Sequence, residues 1–526
     1  MFDTLFCNAR IVDGTGNPWF WGSVGVQDGF IAAVLPRTAK PLSRRTIDLE
    51  GDILCPGFID GHSHSELPLL SGEPTDCKIM QGVTTENLGL DGMSIAPIRD
   101  ADKADWKRHL SGLAGNLDVP WSWNSFAEYL DRLDEARPTL NVCSYVGLGT
   151  IRLSVMGMTD RPATSEEIDR MKALVAQCMR EGARGVSAGL IYPPSRYQTL
   201  EETVELARVA AEYGGIYDVH MRNEADAIAE AIDEVIAISR LSGIASLITH
   251  FKIRGKKNWG RAAELIAKID AARAEGLDVT MAQYPYTAGS TFLHVVIPPW
   301  YHSRGVDGLL LALRDERDAI KHDLQNRMDW ENFSQSVGWE KIFISSVVTE
   351  ANQPLVGKSI TEIADLRGLA DPADAVFDLL IEEQLAVGMI SFGLDEPDIR
   401  DIMRHPAVSF ITDGLMSGRP HPRAYATYPR ILGRYVREQG VLSLEEAVRK
   451  MTSLPARKIR LARKGVILPG FDADLVAFNE QTILDTNNYD NPRVHPAGIR
   501  HVLVNGESVV ENGVMTGARP GRAIRD

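Results

Sequence analysis

Eight short apolar runs divide the middle of this chain, at residues 53–59, 83–88, 140–146, 184–188, 216–220, 245–250, 277–283 and 408–412. Each has the length of a strand and reads as apolar almost throughout, as strands buried on both faces do. Amphipathic segments at 165–181, 199–213 and 225–242 separate several of them. The first opens on Thr164 and Ser165, with Glu166 and Glu167 in its first turn, a helix-start signature. Eight buried strands alternating with helices predict an α/β fold, a TIM-like (β/α)8 barrel. The stretch from Gln283 to Val408 is too long for one crossover. It predicts an insertion before the last strand, at about 292–375, with the charged helical stretch 315–329 inside it.

The two ends of the chain have another texture. Residues 4–12, 23–27 and 30–35 read as short strands around Asp13-Gly14 and Asp28-Gly29. Residues 474–478, 499–504 and 507–511 repeat this around the hairpin signal Asn505-Gly506. Domain termini commonly lie close together, so the pieces 1–54 and 468–526 predict one discontinuous β-sandwich beside a barrel of 55–467.

Of 526 residues, 44% are hydrophobic and 24% charged, the balance of a soluble globular chain. Fifty-six basic against 71 acidic residues leave a net charge of −15, which argues against nucleic acid or anionic membrane as partner. No apolar stretch approaches the ~20 residues of a membrane helix. Five cysteines without a CxxC pair, and a start at Met1-Phe2-Asp3 without a basic and apolar leader, predict a cytoplasmic protein with reduced thiols. The expected partner is a small molecule, with self-association left open.

In such a barrel the active site sits at the C-terminal mouth of the strands. His62 and His64 follow the first strand, one residue apart and therefore on one face. His220 closes the fifth strand, His250 the sixth and Asp413 the eighth. One histidine closing a strand is more often a satisfied core residue. Four, with an aspartate, at one barrel mouth make a divalent-metal hydrolase constellation.

The motifs around these residues resemble the amidohydrolase superfamily, and within it the D-aminoacylase (N-acyl-D-amino-acid deacylase) family. Pro56-Gly57-Phe58-Ile59-Asp60 running into His62 and His64, Gln81-Gly82-Val83-Thr84-Thr85 and Ser187-Ala188-Gly189-Leu190-Ile191-Tyr192 carry the resemblance. So do His220-Met221-Arg222-Asn223-Glu224, the run from Tyr284 to Thr291, and His421-Pro422-Arg423-Ala424-Tyr425. It covers essentially the whole chain. It implies hydrolysis of a non-peptide C–N amide bond on one or two divalent ions, zinc first, with Mn, Co or Fe as alternatives. In that family a cysteine after the second strand joins the two later histidines on the tight zinc. Alignment places Asp91 at that position, with Glu86 on the strand as the competing ligand. A carboxylate is harder than a thiolate and shifts preference toward Mn, Co or Fe.

A divalent cation acidifies water and polarises a carbonyl. Asp413 is the expected general base and then general acid. Lys252, Arg222 and Arg423 are candidates for a substrate carboxylate, and Tyr192, Tyr284 and Ser290 for its carbonyl or carboxylate. Ala426 and Tyr428 depart from the glycine and phenylalanine usual in the family. Deacylation of N-acyl-D-amino acids is the leading function. Opening of a cyclic amide (a hydantoin, diketopiperazine or lactam) is the alternative, and needs no carboxylate anchor. A non-catalytic binding protein on the same barrel is disfavoured by the joint presence of all five strand-end residues.

Overall fold

The computed structural model describes residues 1–72 and 76–525. Among them, eight parallel strands form a barrel: β1 (Phe58–Asp60), β2 (Val83–Leu88), β3 (Asn141–Ser144 continued by Val146–Gly147), β4 (Gly185–Gly189), β5 (Ile216–His220), β6 (Ala245–Ile248), β7 (Val279–Gln283) and β8 (Val408–Phe410). β3 breaks at Tyr145, pairing with β2 through its first half and with β4 through its second. β8 closes on β1 through the parallel bridge between Ser63 and Gly414, and the Asp413 N–H donates to the His62 carbonyl at 3.0 Å. Helices Ser165–Arg180, Leu200–Glu212 and Ile228–Ser242 stand where periodicity placed them. Thr164 and Glu167 form a reciprocal capping box at the first.

The seam between first and last strands is also held by charge. Asp60 accepts from the Thr412 N–H at 2.9 Å, the Thr412 hydroxyl at 2.6 Å and the Lys78 ammonium at 2.6 Å. Lys78 is fully buried and donates as well to Ser63 at 2.8 Å and Thr412 at 2.7 Å.

The run 53–59 is not one barrel strand, as the sequence predicts, but two strands in different sheets. Ile53–Pro56 pairs with Phe2–Ile11 on one side and Leu475–Phe478 on the other, whereas Phe58–Asp60 is β1. Gly57 makes the crossing, where a Cβ would stand 2.0 Å from the Thr84 hydroxyl. Both halves are buried throughout, so hydrophobicity does not mark the break.

Through that pairing the two ends of the chain share one sheet, nine-stranded among the described residues. Leu475–Phe478 lies against Ile53–Pro56 and leads on to Ile499–Val504, Glu507–Glu511 and Val514–Met515. A chain cut after Leu468 loses this half and leaves the apolar edge of Ile53–Pro56 unpaired, a template for aggregation. It is expected to elute in the void volume of a sizing column. A monodisperse, fully active truncation would contradict the pairing.

Between β7 and β8 a three-stranded antiparallel sheet, Gly289–Phe292, Gly388–Ser391 and Ile342–Ser346 in spatial order, is wrapped by helices. Its strands reach beyond both ends of the expected 292–375. The charged stretch 315–329 holds the helix Arg317–Asn326, which meets the preceding helix Gly305–Asp315 at Glu316, whose φ of −120° and ψ of 25° are not helical. The first strand of this insertion brings Ser290 and Thr291 over the barrel mouth.

Candidate metal centre

The site is assembled where strands end in turns. After β2 the chain turns at Gly89, with φ 69°, where a Cβ would lie 2.1 Å from the Tyr145 carbonyl oxygen. Only glycine passes there. The turn delivers Asp91, whose φ is 54°; His250 and Asp413 have φ 36° and 48°. Left-handed backbone at residues with side chains is uncommon and concentrates at functional sites.

His62 Nε2 and His64 Nε2 are 3.2 Å apart. Asp91 Oδ2 lies 3.7 and 3.6 Å from them, and Asp413 Oδ1 3.6 and 3.5 Å. The other oxygen of Asp91 faces His250 Nε2 at 3.4 Å and His220 Nδ1 at 3.7 Å. Asp91 therefore stands between two pairs of histidines. A tetrahedral ion with bonds of about 2.0–2.1 Å keeps its ligand atoms roughly 3.3–3.4 Å apart. The observed spacings match that pattern better than the ~2.9 Å of direct N–H···O bonds. Both His220 nitrogens are buried without a hydrogen-bond partner among the described residues. The donor set fits a divalent ion.

Behind the rings stand groups that orient them. His62 Nδ1 meets the Thr249 hydroxyl at 2.6 Å. Glu224 reaches His250 Nδ1 at 3.1 Å and His220 Nε2 at 3.5 Å, the carboxylate–histidine arrangement of metal sites. The same carboxylate receives Lys252 at 2.5 Å and Arg254 at 3.2 Å. Sequence reasoning missed Glu224 as a participant. Its only signal is its position four residues after His220, which fixes nothing until the turn is folded.

Burial alone would push His64 down, but Asp413 and Asp91 outweigh it and hold the ring up at about 10. His250 is disfavoured by burial and Lys252, yet Glu224 and Asp91 bring it to about 9. Burial drives His220 down to about 3. Against its own burial, Asp413 is held below the usual carboxylate range by Arg423 and the histidines. A cation ligated by His64 and His250 would displace these protons.

A narrow cavity over the centre is lined by His64, Asp91, His220, His250 and Asp413, and by five of the six residues expected to meet substrate: Tyr192, Lys252, Tyr284, Ser290 and Arg423. Arg423 is fully buried, 3.0 Å from Asp413 Oδ2, and lies 4.4 Å over the Tyr284 ring. The Tyr284 hydroxyl is buried with no hydrogen-bond partner among the described residues. Tyr192 meets Thr291 at 3.1 Å, while Ser290 donates to the Met389 carbonyl at 2.9 Å and accepts Arg423 on its own carbonyl.

Two expected residues stand elsewhere. Arg222 points away from the cavity, forked onto Glu234 at 2.8 Å and donating to the carbonyls of Arg196 and Gln198. It follows His220 by two, but β5 ends at His220, so strand alternation no longer sets its direction. Glu86 lies on β2 below the mouth, accepting from Ser65 at 2.9 Å and 3.6 Å from Lys78.

The profile of the amidohydrolase family matches residues 45–294 and 347–510. The chain is 35% identical to the D-aminoacylase of Alcaligenes xylosoxydans xylosoxydans, over 99% of this chain and 97% of that one. A D-aminoacylase structure concerned with a binuclear metal centre superposes with a TM-score of 0.84 at 35% identity, covering both chains fully. The N-acyl-D-glutamate deacylase of Bordetella bronchiseptica, solved with zinc and a phosphonate mimic of the tetrahedral intermediate, does so with a TM-score of 0.83 at 32% identity, again over both whole chains. The chain belongs to the amidohydrolase family, in its D-aminoacylase branch.

Proposed function

We propose that this protein is a metal-dependent amidohydrolase that deacylates N-acyl-D-amino acids. The observation that carries the proposal is the convergence of His62, His64, His220, His250 and Asp91 under a cavity that also holds Asp413 and Arg423. His220, His250 and one oxygen of Asp91 would hold one ion, and His62, His64 and the other oxygen a second. Zinc suits the imidazoles, and the carboxylate in place of a thiolate widens the choice to Mn, Co or Fe. A bound divalent ion lowers the pKa of water and polarises the amide carbonyl.

The protein's own residues then divide the work. Asp413 Oδ1, facing His62 and His64, accepts the proton of the attacking water and delivers it to the departing nitrogen. Arg423 keeps that carboxylate ionised and oriented through Oδ2. Arg423 and the unpartnered Tyr284 hydroxyl offer donors to the substrate carboxylate, beside Lys252 on the same ring. Products are a carboxylate and a free amino acid.

The test is a panel of N-acyl-D-, N-acyl-L- and cyclic amides assayed with Zn, Mn and Co after chelation. The expected result is turnover of N-acyl-D-amino acids, abolished by chelation and restored by metal. Full activity in metal-free protein, or turnover of cyclic amides alone, would overturn the proposal. Within the centre, Asp91→Ala is expected to lower bound metal, whereas Glu86→Ala should leave metal content unchanged. The reverse pattern, read by elemental analysis, would move the ligand to Glu86.

A further inference from the structure

Apart from this centre, three histidines meet where the insertion packs on the barrel. His109 comes from helix Asp100–Ala114, His294 from the turn after strand Gly289–Phe292, and His302 from the short helix Pro299–His302. They are 3%, 0% and 2% exposed, and one ring nitrogen from each lies within 4.8 Å of the others. Nothing in the hydrolytic reaction uses them.

Their hydrogen bonds decide which ring nitrogens carry the protons. His294 Nε2 is bonded to the His109 carbonyl at 3.0 Å and His302 Nε2 to the Ile297 carbonyl at 3.3 Å. His109 bonds the Pro193 carbonyl and leaves its Nε2 unpartnered. A carbonyl only accepts, so each of these bonds places the ring proton on the nitrogen that makes it. The other ring nitrogens, His109 Nε2, His294 Nδ1 and His302 Nδ1, are left as lone pairs with no hydrogen-bond partner among the described residues. Burial favours the neutral rings that this requires. A buried water has two protons and can satisfy only two of three lone pairs. A cation satisfies all three.

We propose that His109, His294 and His302 form a second, structural metal site that takes a borderline transition ion, zinc or cobalt, through three neutral imidazoles. A carbonyl bond to the ring nitrogen that does not ligate is the usual way such ligands are oriented. Small ring rotations would draw the nitrogens to the roughly 3.3 Å separation of ligands on one ion. A narrow cavity lined by Arg222, Phe292, Pro299 and Glu331 lies beside His302. The ion pins the insertion to helix Asp100–Ala114. Phe292 stacks on His294 at 4.0 Å and meets Tyr192 at 5.0 Å, and Tyr192 meets His220 at 5.0 Å. The site therefore braces the wall of the catalytic cavity.

The test uses the full chain loaded with Zn2+. Crystals are expected to show an anomalous peak among His109, His294 and His302, separate from density at Asp91. A water-sized peak without anomalous signal, with zinc present at Asp91, would overturn the proposal. In solution, His294→Gln is expected to bind one zinc fewer per chain by elemental analysis while keeping the zinc of the hydrolytic centre. Unchanged stoichiometry would overturn it as well. Should His294→Gln not fold, the crystals of the unaltered chain decide alone.

Discussion

Asp413→Asn is expected to lower kcat by about 10²–10⁴-fold, the usual worth of a positioned acid–base group. Asparagine is nearly isosteric and keeps a polar group beside Arg423, which stands 3.0 Å from Oδ2. What it loses is the capacity to take up a proton at the oxygen that faces His62 and His64 at 3.6 and 3.5 Å. Because Asp413 is held below the usual carboxylate range, its proton-accepting form should persist until well into the acid range. An earlier fall in activity with falling pH would report the histidines regaining protons and losing metal. A steady-state assay at saturating substrate, beside metal analysis of the variant, separates the roles. Lost turnover with metal retained supports proton transfer. Near-normal kcat would leave Asp413 as a turn residue that tolerates φ 48°, which asparagine does equally well.

Lys78→Met should destabilise the fold by about 3–5 kcal/mol, the price of stranding a buried charge without its partner. That is a large share of the ~5–15 kcal/mol that holds a domain together. Lys78 is fully buried, 2.6 Å from Asp60 and 3.6 Å from Glu86, and methionine matches its volume while removing the ammonium. Asp60, at the seam between β1 and β8, then keeps the Thr412 hydroxyl and N–H as donors, and Glu86, buried on β2, keeps the Ser65 hydroxyl. The thermal midpoint is expected to drop by several degrees, and the metal centre to loosen with it, because His62 and His64 follow Asp60 directly. An unchanged midpoint would mean that Thr412 and Ser65 suffice for the two carboxylates.

Much of the site was legible before folding because barrel strands carry their chemistry at one end. His62, His64, His220, His250 and Asp413 needed only the strand ends to be located, and local hydrophobicity locates them. Asp91 emerged from alignment of the segment after β2. Its competition with Glu86 could not be resolved there, since both are carboxylates a few residues apart. In the fold Glu86 remains on the strand against Lys78, while the Gly89 turn carries Asp91 between the histidine pairs.

The eight apolar runs, the residues His62, His64, His220, His250 and Asp413 at the ends of four of them, and a shared β unit of the two chain ends were read from the sequence alone. These depend on periodicity and turn chemistry, which act over a few residues. Only the tertiary structure split 53–59 between two sheets, sent Arg222 to Glu234, set Glu224 behind two histidines and buried Lys78 at the barrel seam. Each of these is decided by a partner far away in the chain or by a turn without periodicity. A buried charge or a committed side chain is defined by the groups around it, and those groups meet only when the barrel closes.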